Sequence, residues 1–417
     1  MSPLDRLPAL SSKRIATRVT PDALRQVRSG HPWVFDQSIL RQSHEGAPGD
    51  LAVIFNADRD FAAIGLYDPA SPIRIKVLHT GKPTAIDASF FAQSFSSAIE
   101  RREALYLDRA TTGHRLVHGE NDGLPGFIVD RYDSTLVVKV YTPAWFPHLA
   151  TMVEQLLHVW DRTCQSIGAP GPERVVLRLS RSTQKADCFG LSDGDTLIGE
   201  PPGGDVAFLE NGLSFVGDVV RGQKTGYFFD QRDNRQLVRT QAEGAEVLDL
   251  FSSTGGFSAY AATGGASSVV SVDSNRASLD AAVRNVQRNE QSSGIRHQVV
   301  CDDAFEILDD YVQQGRRFDI VVVDPPSFAQ RQSDVAGALR AHSRLADLAL
   351  RTVRAGGLYV HACCSSRVLN DDFYRTIESC AQAAGIELGS VRHTGHGIDH
   401  PVSFAQGSYL KALFARV

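Results

Sequence analysis

Short apolar runs broken by polar turns mark residues 13–80. Leu51-Ala-Val-Ile-Phe55 and Phe61-Ala-Ala-Ile-Gly-Leu-Tyr67 flank a turn at Asn56–Asp60, and Ile73-Arg-Ile-Lys-Val-Leu78 repeats with a period of two. That period predicts short strands, so residues 13–80 read as a small barrel-like β domain, with Gly81-Lys-Pro-Thr84 as a linker. The period then changes. Phe91, Phe95, Ile99 and Leu105 fall at helical spacing within Ala88–Leu107. Strands are predicted at Gly126–Asp130, Leu136–Tyr141 and Arg174–Leu179, with a helix over Phe146–Val159 between the last two. Residues 85–205 therefore form a second, mixed α/β domain. Beyond Pro201-Pro-Gly-Gly204, two strand-like runs flank Asn211-Gly212, a pair suited to a type I′ hairpin.

From there strands and helices alternate. Buried strands are predicted at Glu246–Phe251, Val269–Asp273, His297–Cys301, Phe318–Asp324 and Gly357–Ala362, and helices at Ser278–Asn289 and Arg340–Val353. This order predicts a doubly wound, mostly parallel sheet, placing 206–417 with its leading hairpin in the α/β class. Three regions in 417 residues agree with about 100–200 residues per domain.

Charge narrows the partners without naming one. The formal net charge is −5, which argues against a protein that coats polyanions generally and leaves a local basic patch open. Lys13, Arg14, Arg18, Arg25 and Arg28 face only Asp22 in the first basic stretch, beside Trp33, and Arg74 and Lys76 extend it along an alternating strand. The six cysteines form no CxxC pair and lack histidines at ligand spacing, so no metal site is expected. No apolar run of membrane length and no export signal is found, so a cytoplasmic protein with reduced thiols is expected.

Ligands of an open α/β sheet bind at the carboxyl ends of its strands. Here the first strand runs into Asp249-Leu-Phe251-Ser-Ser253-Thr-Gly255-Gly256, the second ends at Asp273, the third is followed by Asp302-Asp303, and the fourth ends at Asp324-Pro325-Pro326. Glycines admit a ligand close to the backbone. Asp273 suits ribose hydroxyls and Asp302-Asp303 an adenine amine. The turn has neither GxGxxG nor GxxxxGK[ST], which argues against dinucleotides and nucleoside triphosphates. S-adenosylmethionine, a nucleoside ligand without phosphates, fits.

The motifs His31-Pro-Trp-Val-Phe35, Gly119-Glu-Asn-Asp-Gly-Leu-Pro-Gly126, Lys224–Arg235, Asp324-Pro-Pro-Ser-Phe328, Asp399-His-Pro-Val402 and Gly407-Ser-Tyr-Leu-Lys411 occur in that order. With them the chain, from about residue 13, resembles the bacterial 23S rRNA cytosine-C5 methyltransferase family of the RlmI type. The resemblance implies an N-terminal PUA domain, a small central α/β domain and a Rossmann-like class I methyltransferase domain. It implies rRNA as partner, naked or partly assembled, and leaves homodimerisation open. It further implies that Tyr227, Phe229 and Gln231 lie over the methionine end of the cofactor, and it aligns the family's Ser-Cys-Ser nucleophile with Cys364 rather than Cys363.

Carbon 5 of cytosine is a weak nucleophile until a thiolate adds to carbon 6, and this chemistry needs a cysteine at the cofactor edge of the sheet. The strand Leu358–Ala362 runs straight into Cys363-Cys364, whose side chains point to opposite faces. Asp324 is the second catalytic candidate, through the N3/N4 edge of the base. Asp230, Asp233 and an ordered water stay open as the base for the carbon-5 proton. Ala329–Ala341 reads as a substrate loop. Two alternatives stay open: methylation of a base nitrogen such as guanine N7, and a non-catalytic RNA-binding assembly factor.

Overall fold

The computed structural model describes residues 3–107, 109–289 and 294–417, and the chain divides into two compact units. The first comprises 1–209, 217–229 and 398–405; the second comprises 210–216, 230–397 and 406–417.

Among the described residues, two sheets and four α-helices build most of the first unit. Strands β1 (Arg14–Val19), β2 (Trp33–Phe35), β3 (Ile39–Gln42), β4 (Leu51–Phe55), β5 (Phe61–Tyr67) and β6 (Ile73–Thr80) form a sheet in the order β2-β6-β5-β4-β1-β3. Along β1, Arg14, Ala16 and Arg18 are exposed while Ile15, Thr17 and Val19 are buried. Helix α1 (Pro21–Arg28) starts where Thr20 accepts from the Ala23 amide and Pro21 opens the first turn.

The second sheet, β11-β10-β9-β8-β7, consists of β7 (Gly113–His118), β8 (Phe127–Tyr132), β9 (Thr135–Val140), β10 (Arg174–Leu179) and β11 (Thr196–Ile198). Two helical stretches, α2 (Ala88–Glu100) and α3 (Glu103–Tyr106), replace the single helix expected over 88–107. The break falls at Arg101-Arg102, because the Arg102 side chain turns inward to an acid. Helix α4 (Phe146–Ile167) runs past its expected end to Gly168, which closes it at φ +63°.

Arg102 is fully buried. It donates to Asp122 Oδ2 at 2.6 Å, to the Arg115 carbonyl at 2.7 Å and to the Asp399 carbonyl at 3.1 Å. Arg115 forks onto both oxygens of Asp130, at 2.7 and 3.0 Å, and its amide donates to Asp399 Oδ2. Buried charge requires such complete pairing.

The hairpin β12 (Val206–Glu210) and β13 (Leu213–Gly217) turns at Asn211-Gly212, both at positive φ as a type I′ turn requires.

The second unit holds a seven-stranded sheet, β16-β15-β14-β17-β18-β20-β19. Its strands are β14 (Glu246–Leu250), β15 (Ser268–Asp273), β16 (Arg296–Cys301), β17 (Phe318–Val323), β18 (Val353–Cys364), β19 (Gly389–Thr394) and β20 (Leu410–Arg416). The first five are mutually parallel, β20 runs antiparallel to β18, and β19 antiparallel to β20. Strand order reverses between β14 and β17, the switch point at which open α/β sheets bind ligands. The other elements are α5 (Arg232–Arg239), α6 (Gly256–Thr263), α7 (Arg276–Gln287), α8 (Ala304–Gln313), α9 (Val335–Leu350) and α10 (Asn370–Ala383). The expected substrate loop is only partly a loop: from Val335 the segment is already α9.

Candidate active site

The site in the second unit begins at the end of β14. Asp249 is 1% exposed; its Oδ2 accepts from Ser258 Oγ at 2.5 Å, and its Oδ1 has no partner within the protein. Burial pushes its carboxyl up to about 7, Ser258 opposes that, and the charges of Asp324 and Asp273 add to it. The turn that follows holds Phe251, Ser253 and Gly255 at positive φ. A Cβ on Gly255 would lie 2.7 Å from Ala282 Cβ, so glycine is required there on two counts. Asp273 fixes the facing turn by accepting from the Ser253 amide at 2.9 Å and the Asn275 amide at 2.8 Å.

A nucleoside carrying an amino acid suits this arrangement. An unpartnered buried carboxylate oxygen accepts from an ammonium or hydroxyl group, and the turn brings the backbone close without a side chain. Gly256 opens α6 directly behind the turn. Asp302 accepts from the Asp303 amide and stays exposed, whereas Asp303 caps α8 through the amides of Phe305 and Glu306.

The fourth strand end carries Asp324. Its Oδ1 accepts from Gln231 Nε2 at 2.9 Å, Gln231 Oε1 accepts from Asn234, and Asn234 Oδ1 accepts from Thr394. Gln231 therefore orients Asp324, a contact that sequence spacing cannot show. The Pro325 carbonyl lies 3.6 Å from Cys364 Sγ. Cys364 is half-buried at the tip of β18, while Cys363, one residue earlier, is in the core and burial raises its thiol. Ser365 Oγ donates to the Ala329 carbonyl at 2.9 Å and so ties the turn after Cys364 to the Asp-Pro-Pro loop. Asp230 accepts from the Tyr409 hydroxyl at 3.0 Å, and Asp233 is exposed and paired with Arg232.

In the first unit, Tyr227 and Phe229 are buried against Phe208 and Tyr132 in one aromatic cluster. Lys13, Arg14, Arg18, Arg25 and Arg28 are all exposed, Arg25 pairing with Asp22. Arg41 stands opposite Arg18 on β3 and adds to the basic face of β1. Trp33 is half-buried, donates to Glu120 Oε1 at 3.0 Å, and packs edge-on against Phe404. Lys76 does not extend the patch as expected. It is buried and paired with Asp68 at 3.0 Å, because the middle of β6, Ile75–Leu78, is covered on both faces.

Sheet order, acid-tipped strands and glycine turn define the class of Rossmann-like S-adenosylmethionine-dependent methyltransferases. A sequence profile of that description matches residues 174–413, and one for a PUA-like domain matches residues 18–80. A Deinococcus radiodurans ribosomal RNA large subunit methyltransferase is 43% identical over 98% of this chain and 99% of its own length. Ribosomal RNA large subunit methyltransferase I of Shewanella denitrificans is 34% identical over 97% and 99%. A solved structure from Streptococcus mutans, described as a SAM-dependent methyltransferase, shares the fold, with TM-score 0.78 and 20% identity over 96% of this chain and 100% of that one. The chain belongs to the family of S-adenosylmethionine-dependent ribosomal RNA large-subunit methyltransferases of the RlmI type.

Proposed function

We propose that this chain methylates carbon 5 of a cytosine in large-subunit rRNA, with Cys364 as the attacking thiol. The observation that carries the reading is the placement of Cys364 Sγ beside the Pro325 carbonyl at the cofactor edge of the sheet, with the neighbouring thiol turned into the core. The Cys364 thiolate adds to carbon 6 of the ring, and the electron density moves to carbon 5. Asp324, oriented by Gln231, holds the N3/N4 edge. Asp249, Phe251, Ser253, Gly255, Gly256, Asp273, Asp302 and Pro325 line the cofactor position, and bound S-adenosylmethionine supplies an electrophilic methyl group there. Asp303 mainly caps its helix. Loss of the carbon-5 proton then lets the Cys364–carbon 6 bond break and regenerates the thiol. Asp230, held by the Tyr409 hydroxyl, is the acid we assign to that proton.

The exposed basic face of β1, with Lys13, Arg14 and Arg18, supplies phosphate contacts, and Arg25, Arg28 and Trp33 extend it. A base stacked in a helix cannot reach a strand-end thiol, so the target is flipped out. Naked or partly assembled rRNA in the cytoplasm is therefore the expected substrate. Among the described residues, no helix is long and apolar enough to cross a membrane.

RNA carrying 5-fluorocytosine tests the chemistry. The wild-type chain should form a covalent complex through Cys364, and Cys364→Ala should lose methylation by about 10³-fold or more while still binding cofactor. Methylation of a base nitrogen with no trapped complex would refute the reading.

A further inference from the structure

Lys411 is 1% exposed, on β20 directly opposite Cys363 in the antiparallel pair with β18. Its Nζ donates to the Ser365 carbonyl at 2.6 Å and to the Val368 carbonyl at 2.7 Å, across the turn that begins at Cys364. A buried ammonium ordinarily requires an anion. Among the described residues, no acid offsets its charge; the groups that do are the thiols of Cys363 and Cys364. Burial holds the ammonium below the usual lysine range, and the two thiols counteract that. The other groups facing this cluster are Asp324, on the loop after β17, Tyr374 of α10, whose hydroxyl burial and Cys363 hold above the usual range, and the buried His342 of α9, which burial and Lys411 together keep neutral.

We propose that Lys411 is a positioning residue for methyl transfer: it pins the turn that presents Cys364 and supplies the fixed positive charge that favours its thiolate. Cationic neighbours make cysteines nucleophilic in this way, and the thiolate in turn neutralises the buried ammonium. Cys363 shares the field, but the core shields it from substrate. The inference rests on the reading of Cys364 as nucleophile.

The test is the alkylation rate of Cys364 by iodoacetamide across pH, with peptide fragmentation separating it from Cys363. In the wild-type chain the midpoint should lie below the ordinary thiol value of about 8.5. Lys411→Met should move it up by about one pH unit, lowering both alkylation and methylation near pH 7 about tenfold, with recovery in alkali. Lys411→Arg should keep the low midpoint. A lysine that only held the fold would lower activity equally at every pH. A wild-type midpoint at or above about 8.5 overturns the proposal, as does an unchanged profile in Lys411→Met. If the methionine variant does not fold, the wild-type and arginine profiles decide. Full methylation by Cys364→Ala, alongside a low wild-type midpoint, would refute the nucleophile assignment and leave the effect of Lys411 on the thiol standing.

Discussion

Replacing Asp249 with asparagine should stabilise the cofactor-free second unit above neutral pH and weaken cofactor binding. The carboxyl is buried, one oxygen lacks a partner, and its pKa is raised from 3.8 to about 7. At about 1.4 kcal/mol for each pH unit, ionising it in the folded chain costs about 4 kcal/mol more than in the unfolded chain. The sign follows from linkage. With the folded value above the unfolded one, the favourable contribution is complete below about pH 4, falls as the pH rises toward 7, and is gone above that. Asparagine does not titrate, and its oxygen still accepts from Ser258. The two chains should therefore be equally stable near pH 4 and diverge up to pH 7, with asparagine ahead by about 1–4 kcal/mol at pH 8. The tryptophans Trp33, Trp145 and Trp160 all lie in the first unit, so intrinsic fluorescence does not report this transition. Hydrogen exchange of peptides spanning β14 and β15 does. Parallel stability curves from pH 4 to 8 would refute the reasoning.

Two further outcomes can be checked directly. Gly255→Ala places a Cβ 2.7 Å from Ala282 Cβ at a φ of +77° and should cost about 2–4 kcal/mol, abolishing cofactor binding by calorimetry; wild-type affinity would show that the turn yields. Reversing Arg14 and Arg18 to glutamate should lower the slope of log affinity for single-stranded RNA against log salt by about 0.7 per lost phosphate contact, while Lys76→Met leaves the slope unchanged because Lys76 already serves Asp68.

The inner parallel strands of the second unit were legible because parallel strands covered on both faces carry continuous apolar runs, as in Ile320–Val323. The acids at their tips were legible for the same reason, since each ends such a run. Side-chain reach across the sheet was not. Nothing in the spacing of Gln231 and Asp324, 93 positions apart, announces their hydrogen bond. Lys76 was misplaced because alternation separates two faces without saying whether both are covered. Strand β20 carries Lys411 in its interior and ends in Arg416, so its pattern gave little sign of a strand lying between two others. Cys364 was singled out by the combination of strand end, chemistry and family resemblance, and its contact with the Pro325 carbonyl is a geometric fact that none of these contained.

The path of residues 398–417 governs when the protein can mature. Residues 398–405 belong to the first unit, where Asp399 accepts from Arg102 and Arg115, and 406–417 return to the second as β20. Domains ordinarily fold in turn as they are synthesised. Here each unit draws on this late stretch: the first for Asp399, which accepts from Arg102 and from the Arg115 amide, and the second for the strand between β18 and β19. A nascent chain stalled before residue 398 therefore lacks a contact that each unit uses, and the turn after Cys364 gains the Lys411 ammonium that bonds it only when synthesis has passed residue 411.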